Sequence, residues 1–399
     1  MGYDWSMVFL PYDDVWKKQR QTFQPYFLQR NIDQYNPILL QETRAMLRRM
    51  LDEPQGWVGH CRFLFASTIY QIVYGLRLTG PEDPVSLNGE RVLKTISDAA
   101  VPGAFWVDFI PWSSIAPFQR TAALWRTYGE EFLNAPWESV QRGMATGKAT
   151  TCVTSDLISQ LEGAREKNGR DNAPEDVRLM KAIAAIAYAG GSDTTVNTLL
   201  FFIAAMCLYP DVQRKAQQEL DRVVGTGRLP DFKDREELVY IEAVIKESIR
   251  WQPVLPFAVP HASSSSDIYN GYYIPKGSIV VGNAWGLLHD PTVYPEPEKF
   301  IPERYLTEDG KKLREDIPDP VAAFGFGRRI CPGRFLSSSS MFIAVASLLH
   351  SFTLSPPEGQ KMELKIEPSL ITRPADFECM VRPRGEWAVG LVRETENDS

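Results

Sequence analysis

Apolar residues recur at three- and four-residue spacing through most of the first two thirds of the chain, the stripe an amphipathic helix presents to a core. Helices are predicted over 29–51, with Arg and Gln on the outer face, over the short apolar run 63–74, and over 125–144. The segment 102–117, "PGAFWVDFIPWSSIAP", is aromatic-rich and interrupted by proline, which fits a connection between helices. The stretch 165–177, "REKNGRDNAPEDV", reads as a polar linker, with Asp171 or Asn172 as a helix cap and Pro174 in the first turn after it. A long helix is predicted from Pro174 to Leu208. At ~1.5 Å per residue it would reach roughly 52 Å and cross a whole domain. Helices over 210–224 and 236–251 follow, the second stopping before Pro253 because the residue preceding a proline disfavours the helical conformation.

The period then changes. "IYNGYYIPKGSIVVGN" (268–283) holds two glycine-bounded runs of Tyr, Ile and Val and predicts strand, turn and strand. A loop rich in glycine follows later, then an apolar helix over 337–349. The terminal "FECMVRPRGEWAVGLV" (377–392) alternates and predicts strands. The fold class is mostly α with a minor β-sheet gathered late in the chain.

Composition narrows the function classes. With 399 residues, 44% hydrophobic and 11% aromatic, the chain can bury a large core. A formal net charge of −7 excludes a global nucleic-acid footprint. The five cysteines (Cys61, Cys152, Cys207, Cys331 and Cys379) are dispersed and contain no C-x-x-C, which argues against a disulfide framework or a structural zinc site. The first residues lack the basic and apolar regions of a signal peptide. No apolar run reaches the length of a bilayer span; the longest, 196–208, reads as a buried core helix.

Four patterns carry candidate chemistry. The centre of the long helix reads "AGGSDTT" (189–195). Two glycines there cost about 1 kcal/mol each relative to alanine. Either this is a kinked core helix, or a ligand lies close to the backbone with Asp193 and Thr194 beside it. Glu247 and Arg250 lie three apart on one helical face, usually a weak surface pair; joined by Arg304 of "PERY", they would form a buried bidentate network that positions backbone. Trp16 and Arg20, four apart, read as a surface arginine on an indole or as a donor pair for an anion. Finally, "FGFGRRICPGRFL" (324–336) places one cysteine among three glycines and three arginines. A lone cysteine is often just a small buried apolar residue. Here the glycines let backbone N–H groups turn toward one atom, and the arginines create the electropositive setting that favours a thiolate. The loop lacks the third glycine of a dinucleotide motif and has no Gly-Lys-Ser/Thr.

Together these patterns resemble the cytochrome P450 family of heme-thiolate monooxygenases. F-x-x-G-x-R-x-C-x-G matches at Phe324, Gly327, Arg329, Cys331 and Gly333. A/G-G-x-D/E-T-T/S matches at Gly190, Gly191, Asp193, Thr194 and Thr195. E-x-x-R matches at Glu247 and Arg250, with Arg304 in the P-E-R segment, and W-x-x-x-R at Trp16 and Arg20. The motifs fall in the family's order, and the style of "GYYIPKG" and "CPGRFL" is similar to the fungal branch used in secondary metabolism. The resemblance covers essentially the whole chain and implies a single heme-binding monooxygenase domain over 1–399.

The resemblance also implies roles. Cys331 would be the axial thiolate of the iron of heme b, and Phe324 would pack beside it. Trp16, Arg20, His261 and Arg329 would bind the heme propionates. Asp193 and Thr194 would manage protons during oxidation, and Glu247, Arg250 and Arg304 would be structural. Ala185, Ala189, Val254, Leu255, Phe257, Ala258, Leu370 and Ile371 would form an apolar substrate wall, so a small lipophilic substrate is expected. The partners implied are O2 and an NADPH-dependent flavin reductase, with no nucleic acid. Family members from eukaryotes carry a membrane anchor, an early sheet and first helices ahead of the W-x-x-x-R helix. This chain begins almost at that helix, so the expectation is an N-terminally truncated P450 fold. Location at the cytoplasmic face of the endoplasmic reticulum would come through that absent anchor. A non-catalytic heme-binding remnant is a competing reading. So is an O2-independent isomerase or dehydratase, against which the Asp193–Thr194 pair argues.

Overall fold

The computed structural model describes the chain apart from residues 102, 106, 108, 110–117, 170, 368 and 399. Twelve α-helices are present among the described residues: α1 Asp14–Phe23, α2 Asn36–Asp52, α3 Trp57–Tyr74, α4 Pro84–Ala99, α5 Phe118–Ala145, α6 Val153–Asn168, α7 Pro174–Leu208, α8 Pro210–Val223, α9 Val239–Trp251, α10 Ala284–Leu288, α11 Arg334–Ser351 and α12 Glu386–Glu394. The strands are β1 His261–Ala262, β2 Asp267–Tyr269, β3 Tyr272–Ile274, β4 Ile279–Val280, β5 Phe352–Ser355, β6 Ile366–Glu367, β7 Arg373–Pro374 and β8 Met380–Pro383. They form antiparallel pairs β1–β4, β2–β3, β5–β8 and β6–β7.

Contacts divide the chain into two compact units. One comprises Met1–Ile38 and Arg62–Asp193, the other Leu39–Cys61 and Thr194–Ser399. In the first, α4 packs on α5 and α5 on α6. The first half of α7 is anchored there by aromatic rings. Tyr188 stacks with Phe132 (centroids 5.4 Å apart) and meets Tyr70 edge-on at 5.5 Å. Two glycines permit the close approaches. A Cβ on Gly89 would come within 3.1 Å of the Tyr188 ring, and one on Gly191 within 2.8 Å of Ile69 Cγ1.

The second unit is built around α11, against which α8, α9 and α12 pack. From Ser339 to Ser351 every residue of α11 is buried, as an apolar sequence with small polar residues requires. Gln213 on α8 binds the strand that follows. Its amide nitrogen donates to Leu354 O at 2.8 Å, and its amide oxygen accepts from Leu354 N–H at 2.7 Å. The β2–β3 hairpin turns at Asn270 (φ 50°) and Gly271 (φ 83°), two left-handed residues that match the twist of a two-residue loop.

The helix predicted over 174–208 has those bounds. Other boundaries are corrected: the predicted 63–74 helix starts at Trp57, the 125–144 helix runs Phe118–Ala145 and the 337–349 helix runs Arg334–Ser351. The predicted 29–51 helix starts only at Asn36, after two short 3-10 turns. The predicted 236–251 helix starts at Val239. The polar linker is shorter than expected, because α6 runs through Asn168 and ends on Gly169 in the left-handed conformation. Neither Asp171 nor Asn172 caps α7. Ala173 O accepts the first helical N–H groups, Asp171 pairs with Arg165, and Asn172 donates to Leu161 O. The terminal run is strand only through β8; Glu386 onward is α12, whose alternation is broken by Ala388 and Val392 buried on one helical face. Most of the predicted connector over 102–117 lies outside the described residues. By length and composition α7 is apolar enough to cross a membrane, yet 72% of its most apolar window is buried inside the protein.

Candidate functional site

In the first unit, Asp13 caps α1. Its carboxylate accepts the Trp16 N–H at 2.8 Å, which sets the first turn, and one turn on stands Arg20. Trp16 is 5% exposed and its ring lies 5.1 Å from Tyr12. The same unit ends at Asp193. Ala185 and Ala189, expected in a substrate wall, are both buried.

The "AGGSDTT" centre of α7 remains α-helical throughout, with no 3-10 or π turn. Its two glycines differ. Gly191 is forced by Ile69, whereas a Cβ on Gly190 would meet nothing within 4 Å. The sequence pattern therefore has two causes, a helix–helix approach on one side and open space on the other.

In the second unit, the cysteine loop is shaped by local hydrogen bonds. A 3-10 turn, Val321–Phe324, ends on Gly325 (φ 83°), and a second, Gly327–Arg329, begins on Gly327 (φ 54°). These left-handed positions fold the chain back, so Cys331 N–H donates to Phe324 O at 2.8 Å. Arg334 closes the far side, donating from Nη1 to Cys331 O at 3.1 Å. Gly333 is the N-cap of α11, and a Cβ there would sit 3.8 Å from the Cys331 sulfur. The sulfur thus lies beside a helix N-terminus, the positive end of its dipole.

Cys331 is set apart from its peers. Cys61, Cys152, Cys207 and Cys379 are buried; Cys331 is partly exposed, and none forms a disulfide. Cys152 turns out to be the N-cap of α6, accepting the Ser155 N–H, and the Cys207 and Cys379 sulfurs lie 3.6 Å apart in the core. A partly exposed cysteine whose sulfur lies beside a helix N-terminus, on a loop folded by left-handed glycines, fits a thiolate ligand of a heme iron.

His261 begins β1, paired with Val280. Partial burial and the neighbouring Arg329 charge hold its imidazole below the ordinary histidine range. His261 and Arg329, both expected at a propionate, are therefore electrostatic neighbours. Two predicted wall segments are tied together. Thr372 N–H donates to Val254 O at 2.8 Å, next to Leu370 and Ile371, and Trp285 N–H donates to Pro256 O at 2.8 Å. Within the wall Ala258 is left-handed (φ 50°), and Phe257 is 57% exposed.

Glu247, Arg250 and Arg304 form the expected buried network. Arg250 clasps Glu247 with Nε (2.7 Å) and Nη2 (2.9 Å), and Arg304 Nε lies 3.1 Å from the same carboxylate. Glu247 also accepts the Ile301 N–H at 2.8 Å. The remaining guanidinium N–H groups reach carbonyls of Leu288, Lys299, Pro295 and Glu296. These partners all lie between 288 and 301, so the cluster ties that segment to α9 and to Arg304. Sequence reasoning missed Ser337, Arg334 as the partner of the Cys331 carbonyl, and Thr372. Each is an unremarkable residue type whose role exists only through its partner.

A family model for cytochrome P450 matches residues 4–380. A cytochrome P450 monooxygenase of Armillaria gallica is 38% identical over 99% of this chain and 79% of its own length. Cytochrome P450 monooxygenase COX2 of Coprinopsis cinerea is 35% identical over 99% of this chain and 76% of its own, and ple1 of Rhodocybe pseudopiperita 37% identical over 98% and 76%. The motif order, the helical architecture and the matched length agree: this chain belongs to the cytochrome P450 family and is a cytochrome P450 monooxygenase of fungal type.

Proposed function

We propose that residues 1–399 act as one heme-binding domain that oxidises, by hydroxylation, a small lipophilic molecule with O2 and electrons from an NADPH-dependent flavin reductase. The observation that carries this reading is Cys331, the one partly exposed cysteine, held at the N-terminus of α11 on a loop with two left-handed glycines. Bound heme b supplies the activation of dioxygen. Cys331 would hold the heme iron as a thiolate, and Phe324, whose carbonyl fixes the Cys331 N–H, would pack beside it. Arg329 and His261, with Trp16 and Arg20, would hold the propionates. The propionates are anions, so a cationic Arg329 beside a neutral His261 offers charge and a ring N–H donor together.

Asp193 and Thr194 move protons at the oxygen-binding face of α7, next to the open side of Gly190. Their presence supports oxidation over an O2-independent isomerisation. Val254, Leu255, Phe257, Ala258, Leu370 and Ile371, with Ala185 and Ala189 of α7, form the apolar wall that selects substrate. The enzyme works at the cytoplasmic face of the endoplasmic reticulum, a reading that the family membership supports.

The test is the absorption spectrum of the reduced, carbon-monoxide-bound protein. A strongly red-shifted Soret band is expected for the natural chain and is lost in Cys331→Ala. If Cys331→Ala keeps the natural spectrum, Cys331 is not the ligand.

A further inference from the structure

The hydroxyl groups along the middle of α7 differ in what they bond. Ser192 donates to Ala189 O at 3.4 Å and Thr198 to Thr194 O at 3.3 Å, both within the helix. Thr195 turns outward. Its Oγ1 lies 3.3 Å from Ser337 Oγ on α11, and Thr195 is 6% exposed. Ser337 stands six residues after Cys331, and its backbone N–H donates to Gly333 O at 2.9 Å. The α11 backbone around it is pinned from outside. Arg235 donates from Nη2 to Ser338 Oγ at 2.8 Å and from Nε to Glu242 at 2.7 Å, and its guanidinium lies over the Phe342 ring at 5.0 Å.

We infer that Ser337 is a positioning residue, holding Thr195 so that its neighbour Thr194 keeps its place for proton transfer. The inference rests on the role proposed above for Thr194. A threonine inside a helix divides between two χ1 rotamers, one of which bonds back to the carbonyl four residues earlier and bends the helix. For Thr195 that carbonyl belongs to Gly191. Ser337 selects the other rotamer by offering a hydroxyl on a fixed helix. The glycine-weakened centre of α7 is where such a bend costs least, because two residues there already favour non-helical backbone. The bond also links the proton-handling segment to the helix whose N-terminus carries the cysteine loop.

Ser337→Ala removes the partner with little change in volume, and Ser337→Thr restores a hydroxyl. Two readouts are taken on the full chain. The first is amide hydrogen exchange of peptides covering 189–198. Exchange is expected to quicken several-fold in Ser337→Ala and to return toward natural rates in Ser337→Thr. The second is the fraction of NADPH electrons recovered as hydrogen peroxide with flavin reductase and O2. It is expected to rise several-fold in Ser337→Ala, with the thiolate–CO band retained, and to fall again in Ser337→Thr. Unchanged exchange overturns the inference. So does quicker exchange with an unchanged peroxide fraction, which would leave Ser337 a packing residue. A natural chain with no thiolate–CO band fails the functional reading instead, and the exchange comparison then still decides whether Ser337 holds Thr195.

Discussion

Arg304 reaches Glu247 across 57 positions of sequence, its Nε 3.1 Å from one carboxylate oxygen and 3.2 Å from the other, inside a core where Glu247 is 0% exposed. The carboxylate already holds Arg250, so one anion answers two guanidinium groups. Removing it leaves both cations buried without a counter-charge. Glu247→Gln keeps the volume and loses the charge. The expected destabilisation is about 3–5 kcal/mol, the range for breaking a buried pair by removing one partner. Chemical-denaturation midpoints measure it; a change under about 1 kcal/mol, the size of an exposed pair, would show that the network is not needed for the fold.

The neighbouring glycines of α7 should respond in opposite directions. Gly190→Ala gains helix propensity of about 1 kcal/mol and meets no neighbour within 4 Å. Gly191→Ala gains the same propensity but drives a methyl to 2.8 Å from Ile69 Cγ1. Gly190→Ala is expected to raise the denaturation midpoint and Gly191→Ala to lower it, with a net cost of about 1–3 kcal/mol for overpacking. The added methyl at 190 fills the open side next to Asp193, so Gly190→Ala should also reduce turnover while stabilising the fold. Equal effects of the two substitutions would contradict the asymmetry of the helix.

Acid should weaken the second unit through His350. Its Nε2 donates to Gly225 O at 2.7 Å, Nδ1 has no partner among the described residues, and the ring is wholly buried against Trp387. Burial, with Arg384 and Arg228 nearby and Asp221 opposing them, holds this imidazole below the ordinary histidine range. A lowered folded-state value means the unfolded chain binds the proton first. Stability is therefore complete above about pH 6.5, the unfolded value, and declines as pH falls toward the folded one, by at most about 1.4 kcal/mol per pH unit for one proton. His350→Gln, which keeps a donor toward Gly225, should flatten the stability profile below about pH 6.5. An unchanged slope would assign the acid sensitivity elsewhere.

The long helix was legible because it combines length, apolar content and a proline start, and α7 has the predicted ends. The terminal helix α12 was not, since its nine residues place apolar and other side chains in an order that fits a strand as readily as a helix. The Glu247 network was half legible. Spacing three on one face showed the pair, but its burial depends on Arg304 arriving from another part of the chain. The cysteine segment was legible as a loop because its glycines and proline would weaken any helix or strand, and only two short 3-10 turns interrupt it. Thr195 and Ser337 look like ordinary helix hydroxyls in sequence, and only the packing of α7 against α11 brings them to 3.3 Å.

Between His289 and Ile301 the chain contains neither helix nor strand, yet it follows one path. Ordinarily such a path is held by repeating backbone ladders. Here five backbone groups of 288–301 are tethered to one buried ionic centre, four carbonyls by arginine and one N–H by glutamate. Local turns add to this, with Tyr294 N–H donating to Asp290 O at 2.8 Å and Lys299 N–H to Glu296 O at 3.0 Å, but the long-range hold on the segment is radial, from a hub. Side chains of the segment that make no such bond can therefore vary in chemistry while the hub keeps its outline.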